Sequence, residues 1–264
     1  MDKLLLGRYL QGDSLIHRLD PRGKLVLCFY FVLIIFLCNN WQSYLLLTGA
    51  TFIFVLLSKI DLRYFIKGLL PLIWLILFTV LLQVFFTRGG PVYWQWGPFS
   101  LTQFGLVNGV FVFCRFVLII FISTLLTLTT PPLAIADATE SLLKPLKKLK
   151  VPVYEISLML SIALRFVPTL MDETTKIMNA QRSRGVDFSA GSLKERIKAV
   201  IPLLIPLFVS ALSRAEELAT AMEARGYRGG EGRTKYRAQT WHLRDTIALG
   251  VFLALTLGLL FLRN

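Results

Sequence analysis

Charge is scarce in this sequence: only 17% of its residues are charged against 55% hydrophobic, and its mean hydropathy is +0.63. That shortage excludes an ordinary soluble domain, where about a quarter of residues carry charge, and makes a lipid bilayer the natural solvent. Histidine is rarer still. With only His17 and His242, both beside apolar runs, a histidine-based metal or catalytic site is excluded. The three cysteines, Cys28, Cys38 and Cys114, lie inside apolar segments without the C-x-x-C spacing of a metal or redox pair, and read as core residues. The sequence also lacks G-x-x-x-x-G-K-S/T, H-E-x-x-H and G-x-S-x-G, so it offers no recognisable phosphate cradle, zinc helix or nucleophile elbow. It reads as noncatalytic, with no metal ligands and no cofactor of its own.

Basic residues are not scarce, and the formal net charge is +13. Of the 29 Lys and Arg, 18 fall within residues 131–244 beside eleven acids, and other basic residues flank apolar runs. That distribution fits a cytoplasmic membrane face rather than a nucleic-acid surface.

Apolar runs suited to crossing hydrocarbon lie at about 25–41, 44–57, 68–86, 104–130 and 246–262. The first two, separated by 39–43, read as a tight helical hairpin, because a spanning segment must satisfy its own backbone hydrogen bonds. Five basic residues precede the first span, none lies in 39–43, Lys59, Arg63 and Lys67 follow the second, and only Arg88 separates the third and fourth. The positive-inside rule then puts the N-terminus inside and Asn264 outside. The apolar patch 4–6 is too short for a signal-peptide core, so the N-terminus is expected to be retained. Tyr93, Trp94 and Trp96 in the outer loop suit the headgroup region. The expected architecture is all-α: residues 1–130 with four spans, 131–244 in the cytoplasm, and 245–264 as a final span.

The cytoplasmic stretch contains two helical patterns, about 152–184 and 193–225. In the first, Ser157, Ser161, Arg165, Thr169 and Glu173 recur every four residues amid apolar neighbours, which predicts one narrow polar stripe on a helix that is otherwise covered. In the second, the apolar run 199–212 is short and interrupted by Pro202 and Pro206, which favours an interfacial helix over a span. Its small residues Ala211, Ala215 and Ala219 form a ridge for close helix approach. Two long helices crossing at the membrane surface is the expectation, with two further spans as the alternative.

Both helices end alike. Ala180-Gln181-Arg182-Ser183-Arg184-Gly185 and Ala221-Met222-Glu223-Ala224-Arg225-Gly226 repeat A-x-x-x-R-G forty-one residues apart. A Gly just past a helix supplies the left-handed cap, and an Arg in the last turn opposes the negative end of the helix dipole. One copy is only a cap. Two copies on paired helices would suit two similar carboxylate-bearing receptor surfaces.

The stretch 129–188 together with 213–227, the two X-R-G motifs above all, resembles the EcfT family, the transmembrane components of energy-coupling factor (ECF) transporters. The resemblance implies that Ser183, Arg184, Gly185 and Ala224, Arg225, Gly226 contact two ATP-binding-cassette subunits, which alone bind ATP and Mg. It also implies a membrane-embedded S component carrying a vitamin, for which Leu158, Ile162, Leu204 and Phe208 are candidate contacts. The host would be a bacterial cell membrane.

Three other readings stay open beside it. A dedicated transition-metal-ion transporter of the same kind is one. The second is a secondary transporter, for which Arg115 within the fourth span is the best feature, since a charge at that depth is costly. No acid lies within a span to pair with Arg115, and no inverted repeat is evident, so a packing or headgroup role is expected for it. The third is a membrane enzyme or scaffold that uses the basic cluster 144–150 to hold anionic lipid, a contact that can coexist with the transporter role.

Overall fold

The computed structural model describes residues 9–96, 99–149, 151–188, 192–229 and 240–263. The expectations for the extreme N-terminus, Lys150 and Asn264 lie outside these residues. The chain separates into two compact units, one of Met1–Ala138 with Ala238–Asn264 and one of Thr139–Arg237.

In the first unit, helix α1 (Pro21–Ile34) starts on Pro at its first position and on Asp20, whose side chain accepts from the Arg22 amide. It tightens into a 3-10 turn at Ile35–Leu37. Helix α2 (Trp41–Ser58) follows, then α3 (Leu62–Leu69) and α4 (Ile73–Phe86), joined by a 3-10 turn around Pro71. A small addition to the all-α expectation comes next: an antiparallel hairpin of β1 (Val92–Trp96) and β2 (Phe99–Thr102). Tyr93 and Trp94 are exposed on it, as a headgroup anchor requires. Helix α5 (Gln103–Thr129) is the central element, α6 (Pro132–Leu143) follows it, and α9 (Leu243–Arg263) closes the unit.

The core is built from helical stripes. Leu27, Phe31 and Ile34 of α1 and Leu118, Ile122 and Leu125 of α5 recur three and four apart and are buried. The cysteines are free, Cys38 buried and the others half-buried. Although α1 and α2 are joined by a short turn, each packs chiefly on α5 and α9 rather than along the other. The reason is bulk: the Phe252 ring of α9 packs against Tyr30 and Phe31 of α1 and stacks on Phe54 of α2. The expected tight hairpin is therefore splayed by an aromatic wedge.

Polar ties hold the end of the unit where α1 and α9 begin. Lys24 Nζ donates to the carbonyls of His17 and Thr129 at 3.1 and 3.0 Å. Asp245 accepts from the Asp20 amide at 2.7 Å and from the His242 amide at 2.9 Å. Lys24 thus serves as a buried tie as well as one of the basic residues before the first span.

Among the described residues, six helical stretches are long and apolar enough to cross a membrane: α2, Leu62–Phe86, α5, α9, α7 (Val153–Ser183) and most of α8 (Leu193–Ala224). The five expected spans share four with this set. They differ at α1, whose α-helical hydrogen bonding stops after 14 residues, and at α7 and α8, which qualify by length and composition.

Candidate functional site

The second unit begins at Thr139 in the last turns of α6 and continues through a 3-10 turn at Lys144–Leu149 into α7 and α8. The two helices have 31 and 32 residues, so each extends about 46–48 Å at 1.5 Å per residue. That exceeds the roughly 30 Å of hydrocarbon in a bilayer. Pro168 lies inside α7, and Pro202 and Pro206 lie inside α8, each removing an amide from the helical ladder.

The polar stripe on α7 joins the helices to what surrounds them. Ser157 donates to Glu140 at 2.5 Å, and Glu173 accepts from Ser210 and, at 3.0 Å, from Arg214 of α8. The Arg214 guanidinium also lies 5.9 Å from the centre of the Phe166 ring. Around this crossing, Ile162, Phe166 and Leu170 face Ala211, Ala215 and Ala219 across a cavity of about 380 Å³. The small-residue ridge thus meets a bulky face.

Glu173 is the one acid on the stripe that grips both a hydroxyl and a guanidinium, so its loss should be felt. Glu173→Gln is expected to cost about 1.5–3 kcal/mol, the usual worth of hydrogen bonds to a charged group. A double-mutant cycle with Arg214→Met, read by thermal melting in detergent, should show coupling between the two positions. Strict additivity would contradict the crossing geometry.

Away from the crossing, the apolar faces are largely uncovered within the unit. Leu204 and Phe208 are exposed at 55% and 66%, while Leu158 is half-buried and Ile162 is engaged at the cavity. Sequence reasoning missed that Met159, Val167, Met171, Ile201, Ile205 and Val209 are exposed as well. Their spacing in multiples of four was the available signal.

The two helix ends are closed by the same geometry. On α7 the Gly185 amide donates to Arg182 O at 2.9 Å and the Val186 amide to Gln181 O at 3.0 Å. On α8 the Gly226 amide donates to Glu223 O at 2.8 Å and the Tyr227 amide to Met222 O at 3.0 Å. Both are Schellman closures, with Gly185 at φ 88° and Gly226 at φ 73° in the left-handed region. Arg184 and Arg225 occupy the same position before these glycines. Both arginines are exposed, and neither forms a salt bridge among the described residues. Ser183 donates to Asn179 O at 3.1 Å, while Ala224, at the matching place, has no hydroxyl to do so. Among the described residues each end therefore presents an exposed guanidinium without a charged partner, suited to gripping a carboxylate at two points.

A family model described as CbiQ, cobalt transport protein, matches residues 12–236. A Lacticaseibacillus paracasei protein described as energy-coupling factor transporter transmembrane protein EcfT is 65% identical over 263 residues, 100% of each chain. The Listeria monocytogenes EcfT 1 is 58% identical over 264 residues, 100% of this chain and 99% of that one. The Bacillus subtilis EcfT is 56% identical over 263 residues, with 100% and 99% covered.

Proposed function

The chain belongs to the energy-coupling factor transporter transmembrane protein family, EcfT, and from that membership we propose that it is the noncatalytic subunit linking two ATPases to a membrane-embedded S component that carries a vitamin. The observation that carries this reading is the matched pair of helix ends, each offering an exposed arginine on a glycine-closed terminus. Arg184 and Arg225 grip one ATP-binding-cassette subunit each, with Ser183 and Gly185, and Ala224 and Gly226, completing the two contacts. ATP and Mg are bound and used in those subunits.

The mechanism runs from the helix ends to the apolar face. When the ATPases close around ATP, the two helix ends move with them, and the Glu173–Arg214 crossing converts that movement into a change of the apolar face around Leu158, Ile162, Leu204 and Phe208. The S component resting on that face reorients and releases its cargo inward. A face of this kind has no catalytic task, since its side chains bear no nucleophile or acid–base pair.

A second reading, import of a transition-metal ion, is favoured by the description of the matched family as a cobalt transport protein. Uptake of radiolabelled cobalt and of labelled vitamins by cells carrying the whole assembly separates the two readings.

The location of α7 and α8 is tested by cysteine labelling in a cysteine-free background. Arg88→Cys should react with an impermeant reagent from outside and Arg228→Cys only after the inside is opened. External labelling of Arg228→Cys would overturn the placement of these helices on the cytoplasmic side.

A further inference from the structure

Arg115 is the thirteenth residue of α5, about 18 Å from its start at 1.5 Å per residue. One amino group donates to the Tyr44 hydroxyl at 3.0 Å, and the guanidinium lies 5.0 Å from the centre of the Phe36 ring. These contacts fix the side chain but bring no negative charge. Nε is buried without a partner among the described residues. The only acid in residues 25–130 is Asp61, which follows α2 and stands at the far end of that helix from Trp41. A cation at this depth without a counter-charge is costly, and its remaining donors call for an anion.

The space for one is present. A cavity of about 930 Å³ at the hairpin end of the first unit is lined by Asn39, Gln42, Gln83, Asn108 and Arg115. The amides offer neutral donors and acceptors around the guanidinium, and the volume far exceeds that of a halide or a free phosphate. Trp41 and Phe104 also line it and are 57% and 53% exposed, so the cavity has an aromatic edge of the sort found at headgroup depth.

We infer that this cavity binds the glycerophosphate headgroup of an anionic membrane lipid, with Arg115 holding the phosphate and the neighbouring amides the glycerol hydroxyls. Guanidinium and phosphate match in a bidentate fork. The acyl chains leave past Phe104 into the bilayer. The occupant is a lipid rather than a soluble phosphate because the site has both a polar floor and an aromatic, lipid-facing edge.

The test uses the full-length chain in detergent with three probes: phosphatidylglycerol, diacylglycerol of the same chains, and inorganic phosphate. Native mass spectrometry and thermal melting are the readouts. Wild type should retain phosphatidylglycerol and melt higher with it, and Arg115→Gln should bind it at least about tenfold more weakly, the loss expected for a charge-assisted contact. Arg115→Lys should fall between the two, and Asn108→Ala should weaken binding while leaving the Tyr44 contact intact. Those two variants carry the test where Arg115→Gln does not fold. Equal binding of diacylglycerol, or undiminished phosphatidylglycerol binding in Asn108→Ala and Arg115→Lys, would overturn the proposal. Full displacement of the lipid by millimolar inorganic phosphate would overturn its assignment to a lipid.

Discussion

Replacing both Arg184 and Arg225 with alanine should abolish uptake and separate this subunit from its ATPases, while the membrane unit still folds. Each arginine stands just before the left-handed glycine of a Schellman closure, exposed and without a salt bridge among the described residues. Truncating one member of a desolvated charge pair costs a complex about 2–5 kcal/mol, much of it from the partner left unpaired. That is roughly thirtyfold or more in affinity for one end. The single variants should therefore weaken assembly and the double variant should lose it. Lysine should rescue only in part, since it keeps the charge but not the planar fork. Because neither arginine forms a salt bridge among the described residues, melting of the isolated subunit should hardly change. A double variant with normal co-purification and uptake would reduce both motifs to helix caps.

The second large effect is expected at Gly105, where Gly105→Leu should yield no folded membrane unit. A Cβ at this position would lie 2.7 Å from the carbonyl oxygen of Val84, and one at Gly109 would lie 2.6 Å from the Val84 side chain. Gly105 and Gly109 are four apart on α5 and let α4 approach closely. Their difference provides the check. Gly109→Ala meets the tip of a side chain, so Val84→Ala should restore its stability. Gly105→Ala meets backbone, so the same second change should not help. Overpacking of this kind costs about 1–3 kcal/mol for a single methyl. Equal rescue of both alanine variants would contradict the packing.

What the sequence revealed here was local, and what it hid was not. The ends of α7 and α8 fell within a residue or so of expectation because a glycine in the left-handed region and the Arg before it leave a mark at fixed spacing. Apolar runs located α2, α5 and α9 for the same reason, with boundaries displaced by a few residues. The stripe from Ser157 to Glu173 was visible as a period of four, but its partners Glu140, Ser210 and Arg214 sit at separations no period encodes. The same holds for Phe252, whose wedge between α1 and α2 spans some two hundred residues of chain. Gly105-x-x-x-Gly109 went unread in the sequence, although close helix approach needs small residues at that spacing. The hairpin at Val92–Trp96 and Phe99–Thr102 was hidden within a loop already explained by its aromatics. Arg115 was legible as a charge out of place, but the amide-lined cavity around it required three segments to meet.

The coupling account is tested most directly by photo-crosslinking in the native assembly. A photoreactive phenylalanine analogue would replace Val186 and, in a second variant, Tyr227, the residues whose amides complete the two closures. The complex would be irradiated in membranes, extracted through a tag on this chain, and its adducts identified by mass. The account predicts that each position forms an adduct with an ATP-binding-cassette subunit, that the two positions mark separate copies or different subunits, and that neither adduct forms when Arg184 and Arg225 are both alanine. Adducts with lipid alone from both positions would contradict it.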